Sequence, residues 1–216
     1  MKKQNWLTQS TIGECDFIEK EIKFDKSLKL LNIGAERHSI ELAKRGYQVA
    51  YIELYDLRLP FDSEFDVAFM LCESGFPLIE ADEMVFLALR DVTKSLKPHG
   101  KFIFTSIGKS FLLAFPPDEF ERSSYKLTNF RDDTLVEFED KFGNKKKFSY
   151  DELYYECYNI KPFLELLGYK KIDMFEAKRG ALSREDKLIS SNTERLVIAE
   201  KGEKGHTPPF LQQIFS

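Results

Sequence analysis

The sequence has few of the residues that build metal sites and disulfide frameworks, with three cysteines and three histidines among 216 residues. Cys15, Cys72 and Cys157 lie far apart and show no metal-ligand spacing. We therefore expect no metal site. An odd number of cysteines suits a reducing compartment, so we expect the protein to be cytoplasmic.

Long apolar runs and an excess of positive charge are also absent. No stretch approaches the ~20 apolar residues of a membrane-spanning helix, and the charged first residues are not followed by an apolar run of signal-peptide length. The formal net charge is −4, whereas a dedicated nucleic-acid binder needs a concentrated basic surface. The lysine triplet at 145–147 suits a solvated turn flank. We expect neither a membrane nor a nucleic acid as partner.

Glycine is scarce at the one place where a nucleotide-binding loop would need it. Residues 30–47 run from a hydrophobic strand through Gly34 into an amphipathic helix. This layout turns backbone N–H groups toward a nucleotide-like ligand. Such a loop normally has several glycines, and only Gly34 is present here. This segment predicts the strand, turn and helix that surround a cofactor site. Whether a cofactor binds there is left open by the single glycine.

Strands and helices alternate along most of the chain. Apolar periodicity predicts helices over 15–23, 39–45, 81–95 and 160–167, and strands over 29–33, 48–54, 65–72, 101–107, 170–176 and 195–200. The run at 65–72 is continuously apolar, which is typical of a parallel strand covered on both faces. With 43% hydrophobic residues, the chain can bury one substantial core. We expect a single domain over residues 1–200, followed by a loosely held tail over 201–216.

The region over residues 108–158 is predicted to be an insertion rich in aromatic residues. Residues 135–140 and 146–150 flank the turn signal Phe142-Gly143-Asn144, which predicts a small antiparallel hairpin apart from the main sheet. The aromatic side chains of the insertion would either wall a pocket for a small acceptor or pack in a core. They are Phe111, Phe115, Phe120, Tyr125, Phe130, Tyr154, Tyr155 and Tyr158.

Four segments, taken in order, resemble the class I S-adenosylmethionine-dependent methyltransferases, in particular the small bacterial and archaeal members. They are the Gly34 turn with the helix behind it up to Tyr47, then Asp56-Leu57-Arg58-Leu59-Pro60-Phe61, Glu64-Phe65-Asp66-Val67 and Leu96-Lys97-Pro98-His99-Gly100-Lys101-Phe102. The resemblance covers the chain from roughly residue 14 to roughly residue 200. It implies a Rossmann-like, doubly wound and mostly parallel α/β sheet with S-adenosylmethionine as cofactor.

One unit of that fold has no room in this chain. The family places a helix and a third strand between its second and fourth strands, but only residues 54–64 separate Glu53 from Phe65. A parallel crossover needs a dozen or more residues for even one helix. We therefore predict that the sheet lacks one edge strand and that residues 54–64 are extended or irregular. The second strand then becomes a new edge, which a partner chain could cover in a homodimer.

The resemblance also implies where a cofactor would bind. Glu53 matches the acid that takes both ribose hydroxyls, because one carboxylate accepts two hydrogen bonds. Asp56 and Leu57 match the pair that reads the adenine edge. Asn32 stands where the family has an acid, and Gly34 is what remains of its glycine loop. For Glu53 and Asp56 the alternative is an ordinary solvated acid at a strand end or in a turn.

Charged residues beside this loop set further expectations. Glu36 would bring a carboxylate close to that of the bound methionine moiety, and Arg37 would have to compensate the repulsion. Cys72 and Glu73 follow the next strand at the carboxyl edge, where ligands bind in open α/β sheets. Glu73 would orient or deprotonate an acceptor if burial raises its pKa, or would be a helix-capping or solvated acid instead.

Two functional hypotheses follow from these residues. The first is a methyltransferase that uses S-adenosylmethionine and acts on a small-molecule acceptor. The second is a non-catalytic relative that serves as a binding or interaction module, which the short glycine loop and the missing unit favour. A nicotinamide-dependent oxidoreductase is a distant third, because the later segments do not fit it.

Overall fold

The computed structural model describes residues 2–53, 59–71, 82–107, 125–131, 135–140, 145–149, 157–178, 180–187 and 194–203. Its helices are α1 (Lys2–Glu21), α2 (Glu36–Lys44), α3 (Asp82–Ser95) and α4 (Cys157–Leu166). Its strands are β1 (Lys29–Ile33), β2 (Gln48–Ile52), β3 (Phe65–Met70), β4 (Leu96–Ile107), β5 (Tyr125–Arg131), β6 (Leu135–Asp140), β7 (Lys145–Ser149), β8 (Tyr169–Glu176) and β9 (Glu194–Lys201).

Six strands form the main sheet in the order β2-β1-β3-β4-β9-β8. The first four pair in parallel, and β9 runs antiparallel to both of its neighbours. Leu30 and Leu31 of β1 point to opposite faces, and both are fully buried. A strand buried on both faces is expected where helices cover both sides of the sheet. The predicted doubly wound, mostly parallel α/β fold is confirmed.

Each face of the sheet packs on its own pair of helices. The face that includes Leu30 packs on the helical layer of α1 and α2, with Ile18 and Leu42 fully buried against it. The face that includes Leu31 packs on α3 and α4, with the cluster Ala88, Leu89, Val92, Ile160 and Leu164. The sheet is therefore the middle layer of three.

The connection from β2 to β3 contains no crossover helix or extra strand within residues 59–64. Leu59 and Phe61 pack into the core on the α3 face, and the N–H groups of Ser63 and Glu64 donate to the last carbonyls of α3. This stretch is irregular and leads into Phe65–Met70, and residues 54–58 of the connection lie outside the described residues. As predicted, the described sheet lacks one edge strand, and β2 lies at its edge.

Several boundaries differ from the predicted ones. Helix α1 begins at Lys2, well before residue 15, because its polar first half hides the apolar period. Strand β4 begins at Leu96, before a register shift around His99, whose φ is 62°. Strand β9 extends to Lys201, so that residue belongs to the sheet and not to a loose tail. Its buried ammonium donates to the carbonyls of Thr93 and Leu96.

A separate three-stranded antiparallel sheet has the order β5-β6-β7. Pairing of Val136 with Phe148 and of Phe138 with Lys146 confirms the predicted hairpin. Strand β5, which pairs with β6, is an addition that the sequence did not predict. The turn at 141–144 lies outside the described residues, as do the aromatic side chains of the 108–158 region.

No helix in the described parts of the chain is both long enough and apolar enough to span a membrane. Across the same residues, no group of three or more His, Cys, Asp or Glu side chains is arranged to hold a metal ion.

Candidate functional site

The parallel register of β1 and β2 brings two of the predicted site positions together. Ile33 lies opposite Ile52, so the next residues of the two strands, Gly34 and Glu53, leave the sheet side by side at its carboxyl edge. The N–H of Gly34 donates to the carbonyl of Ile52 at 2.9 Å, and Glu53 is exposed. A carboxylate therefore lies next to the glycine turn, at the edge where open α/β sheets bind ligands.

The turn after β1 depends on Gly34 and on two side chains. Gly34 has a φ of 102°, a conformation that favours glycine. The hydroxyl of Tyr51 donates to the Gly34 carbonyl at 3.0 Å, and the amide of Asn32 donates to the Ala35 carbonyl at 2.8 Å. Together with the bond from the Gly34 N–H to Ile52, these contacts hold both the N–H and the carbonyl of Gly34.

Asn32, which occupies the position of the family's acid, is fully buried. Its second amide hydrogen bond goes to the hydroxyl of Ser39 in α2, at 2.8 Å. Its Oδ1 atom is buried and has no hydrogen-bond partner among the described residues. The side chain thus joins β1 to the turn and to the first half of α2.

Helix α2 begins directly after this turn. Its N-cap residue, Ala35, has no side chain that could accept a hydrogen bond from the first turn. The first N–H groups of a helix lack intrahelical partners, and the helix dipole adds partial positive charge there. This helix start can therefore bind a carboxylate, although Glu36 adds a negative charge in the first turn.

Two carboxylates act on the hydroxyl of Tyr51. Burial raises the pKa of Tyr51, and the negative charges of Glu53 and Glu36 raise it further. Both carboxylates therefore add negative charge to the surroundings of the hydroxyl that contacts the Gly34 turn. The acidic surroundings suit a ligand that donates hydroxyl hydrogen bonds or carries positive charge.

Arg37 and His38 contact α1. The Arg37 guanidinium binds the hydroxyl of Thr11 at 2.9 Å and the carboxylate of Glu14 at 3.3 Å. The His38 Nε2 lies 2.6 Å from the same carboxylate, and both of these side chains are fully buried. The N–H of Gly180 donates to the other Glu14 oxygen at 3.2 Å. The described contacts of Arg37 therefore fix the start of α2 to α1.

Four predicted site residues lie outside the described residues: Asp56, Leu57, Cys72 and Glu73. The described chain reaches Leu71, which is fully buried just before the last two. The sequence analysis did not identify Tyr51, which binds the Gly34 turn, or Glu14, which binds the start of α2. Side chains alternate along β2, and Tyr51 lies on the same face as Asn32, its register partner in β1. This alternation could have identified Tyr51 as a candidate. No local pattern links Glu14 to His38.

No protein-family model matches the chain, and neither does any curated protein. Several solved structures are similar to it. An S-adenosylmethionine-dependent methyltransferase from Clostridium acetobutylicum is similar with a TM-score of 0.55 at 14% identity, over 91% of this chain and 92% of its own. A TehB-like methyltransferase from Corynebacterium glutamicum gives 0.56 at 11% identity, over 93% and 96%.

A third similar structure holds ligands. It is the 1,6-didemethyltoxoflavin-N1-methyltransferase of Burkholderia thailandensis with bound 1,6-didemethyltoxoflavin and S-adenosylhomocysteine. Its TM-score is 0.50 at 11% identity, over 89% of this chain and 78% of its own. At such identities a likeness establishes architecture. The chain has the fold of the class I S-adenosylmethionine-dependent methyltransferases.

Proposed function

We propose that this protein transfers a methyl group from S-adenosylmethionine to a small-molecule acceptor, at the carboxyl edge of β1 and β2. The observation that carries the proposal is the exposed carboxylate of Glu53 beside the Gly34 turn. When bound, the cofactor supplies an activated methyl group on its sulfonium. The protein's task is then to orient the reactants and exclude water.

The described residues fit two ends of this cofactor. Glu53 offers two acceptor oxygens for the ribose hydroxyls. The start of α2 offers N–H groups for the carboxylate of the methionine moiety, with Gly34 allowing close backbone approach. Arg37 lies in the same helical turn as Glu36, and its guanidinium, which binds Thr11 and Glu14, would offset part of the Glu36 charge through space.

The rest of the proposed site lies beyond the described residues. Asp56 and Leu57 would bind the adenine, and Cys72 would line the cofactor site. Glu73 would orient or deprotonate the acceptor. A small acceptor agrees with the ligand of the Burkholderia thailandensis enzyme and with the aromatic content of residues 108–158.

A non-catalytic binding module is the second candidate, and Asn32 favours it. A neutral amide stands where the family has an acid, and its described hydrogen bonds lie within the protein. Asn32 therefore brings no negative charge to the ammonium group of the cofactor.

Calorimetric titration with S-adenosylmethionine and S-adenosylhomocysteine separates the two candidates. We expect both ligands to bind, and we expect Glu53→Ala to abolish measurable binding because two charge-assisted hydrogen bonds are lost together. Glu185→Ala is the matched control, since Glu185 is also exposed and adjoins Arg184, which binds the far end of α1. Folded wild-type protein that binds neither ligand would favour the non-catalytic module.

We also propose that the chain up to Lys201 forms one cytoplasmic domain that pairs as a homodimer through β2. Its sequence, Gln48-Val49-Ala50-Tyr51-Ile52, has no charge and no proline, the usual protections of an edge strand. Sedimentation equilibrium of the wild type and of Ala50→Pro tests this. A monomeric wild type rules out the dimer.

A further inference from the structure

The turn after β1 receives hydrogen bonds from two side chains that the proposed chemistry does not use. Asn32 donates to the Ala35 carbonyl, and Tyr51 donates to the Gly34 carbonyl. The two side chains are register partners on β1 and β2, so they rise from the same face of the sheet. Each of the two turn carbonyls therefore accepts a hydrogen bond from a side chain of a strand, and the Ala35 carbonyl also accepts from the His38 N–H at 3.3 Å.

We infer that Asn32 and Tyr51 are positioning residues, which hold the Gly34 turn so that the N–H groups at the start of α2 face the carboxylate of a bound cofactor. Asn32 then acts on the backbone and does not replace the family's acid as a ligand. This inference rests on the proposed function. It explains how a turn with one glycine keeps the conformation that binds the cofactor.

The planarity of the peptide group gives the physical reason. In a trans peptide the carbonyl of one residue and the N–H of the next point in opposite directions. Fixing the carbonyl of Gly34 therefore sets the N–H of Ala35, and fixing the carbonyl of Ala35 sets the N–H of Glu36. Donors that are oriented before binding lose less entropy when a ligand arrives.

The burial of Asn32 supports the same role. Its amide N–H groups bond to Ala35 and Ser39, and its Oδ1 atom is buried. A ligand at the surface of the turn reaches none of these atoms without displacing the turn. The contacts of Asn32 are thus those of a brace between β1 and α2.

Asn32→Asp gives opposite results under the two interpretations. A carboxylate of nearly the same shape would place an acceptor oxygen against the Ala35 carbonyl, where a donor now lies 2.8 Å away. We expect a lower melting temperature and, on folded protein, affinity for S-adenosylhomocysteine weakened about tenfold, because the Ala35 carbonyl loses its shorter hydrogen bond and faces a negative charge while only the His38 N–H still donates to it. If Asn32 replaces the family's acid, the variant binds more tightly, which would overturn the inference.

A pH profile distinguishes positioning from a general loss of packing. A buried carboxylate that faces a carbonyl has a raised pKa, and its protonated form can donate to that carbonyl. The affinity of Asn32→Asp should therefore recover as the pH falls from about 8 to about 5, while the wild type changes little. An equal loss at every pH would argue against the brace.

Tyr51→Phe removes only the hydroxyl that binds Gly34. We expect the affinity for S-adenosylhomocysteine to fall several-fold. Tyr47→Phe is the matched control, because Tyr47 precedes the other end of β2 and its ring contacts the ammonium of Lys26. Equal affinities for these two variants would remove Tyr51 from the proposal.

Hydrogen exchange on the ligand-free protein provides a test that needs no cofactor. The amides of Gly34 and His38, which donate to the carbonyls of Ile52 and Ala35, should exchange faster in Asn32→Asp and Tyr51→Phe than in the wild type and Tyr47→Phe. Unchanged exchange in both variants would overturn the inference even if the cofactor binds. Faster exchange in a protein that binds no cofactor would support the brace and reject the proposed function.

Discussion

The two faces of the main sheet both bury apolar side chains, but they differ in where buried polar groups join the elements. On the face of α1 and α2, polar groups join Glu14 to His38 and Asn32 to Ser39. On the face of α3 and α4, the helices pack mainly through apolar side chains such as Leu89, and the buried ammonium of Lys201 bonds to carbonyls at the end of α3 and the start of β4. Directional bonds fix where α2 begins, whereas apolar burial is non-directional and mainly contributes stability.

This difference matches the place of the candidate site. The Gly34 turn and the start of α2 lie on the polar face, where a small displacement would misplace the ligand-binding groups. On the apolar face, close packing of side chains matters more than exact hydrogen-bond geometry. We therefore expect substitutions on the polar face to change ligand affinity and those on the apolar face to change stability alone.

Glu14→Ala should have the largest effect. It removes the buried carboxylate that binds the Arg37 guanidinium and lies 2.6 Å from His38 Nε2, and removing one partner of a largely buried ion pair costs about 3–5 kcal/mol. Urea unfolding measures the loss. Glu14→Gln is the matched variant, because it can still accept from the Gly180 N–H and should lose less. Equal stability of Glu14→Ala and the wild type would mean that this buried cluster does not hold α2.

Leu89→Ala tests the apolar face. A fully buried leucine that is truncated to alanine costs about 2–5 kcal/mol in the free energy of unfolding. The affinity for S-adenosylhomocysteine, measured where the variant is folded, should not change. Leu42→Ala, on the polar face, should lower both stability and affinity. If both variants lower affinity equally, the contrast between the faces is wrong.

The sequence predicted those parts of the fold that depend on local pattern. The alternation of strands and helices predicted the sheet, and the short stretch between Glu53 and Phe65 predicted the missing edge strand. The apolar periodicity over 15–23 predicted the second half of α1, in which Ile18 is fully buried. These features depend on period and length, which are properties of neighbouring residues.

The polar contacts could not be predicted in this way. Glu14 and His38 lie in different helices, and their pairing depends on how α1 crosses α2. The bond from Tyr51 to Gly34 depends on the register of β1 and β2, which a single sequence does not state. Strand β5 was missed because its partner follows it in an aromatic-rich region that gave no turn signal before residue 135.

Arg45→Ala should have a smaller effect that depends on pH. Arg45 joins α2 to α1 by ion pairs with Asp16 and Glu19 and also binds Glu41, and partly exposed ion pairs contribute about 1 kcal/mol. Burial raises the pKa of Glu19, but hydrogen bonds from Lys26 and Arg45 outweigh it, so the pKa is lowered.

The sign of the pH dependence follows from that lowered pKa. Glu19 contributes stability above its ordinary pKa of 4.5, and this contribution is lost as the pH falls through the lower folded value. The stability gap between the wild type and Arg45→Ala should therefore narrow in acid, as followed by urea unfolding at several pH values. A gap that is constant with pH would exclude Glu19 as the titrating partner.

The smallest expected effect concerns Cys15 and involves only the reactivity of its thiol. Burial raises the pKa of its thiol to about 12, so little thiolate exists near neutral pH. In a Cys72→Ser, Cys157→Ser background, Ellman's reagent should leave Cys15 unmodified in native protein and modify it in urea. Rapid modification of the native protein would show that the layer between α1 and the sheet opens readily.

We propose that the carboxyl edge of β1 and β2 binds S-adenosylmethionine, and a crystal structure with S-adenosylhomocysteine is the decisive experiment. We expect the ribose hydroxyls to bind the carboxylate of Glu53 and the methionine carboxylate to lie at the start of α2, with Asn32 still bonded to the Ala35 carbonyl. Ligand bound elsewhere, or this edge empty at saturating ligand, would contradict it.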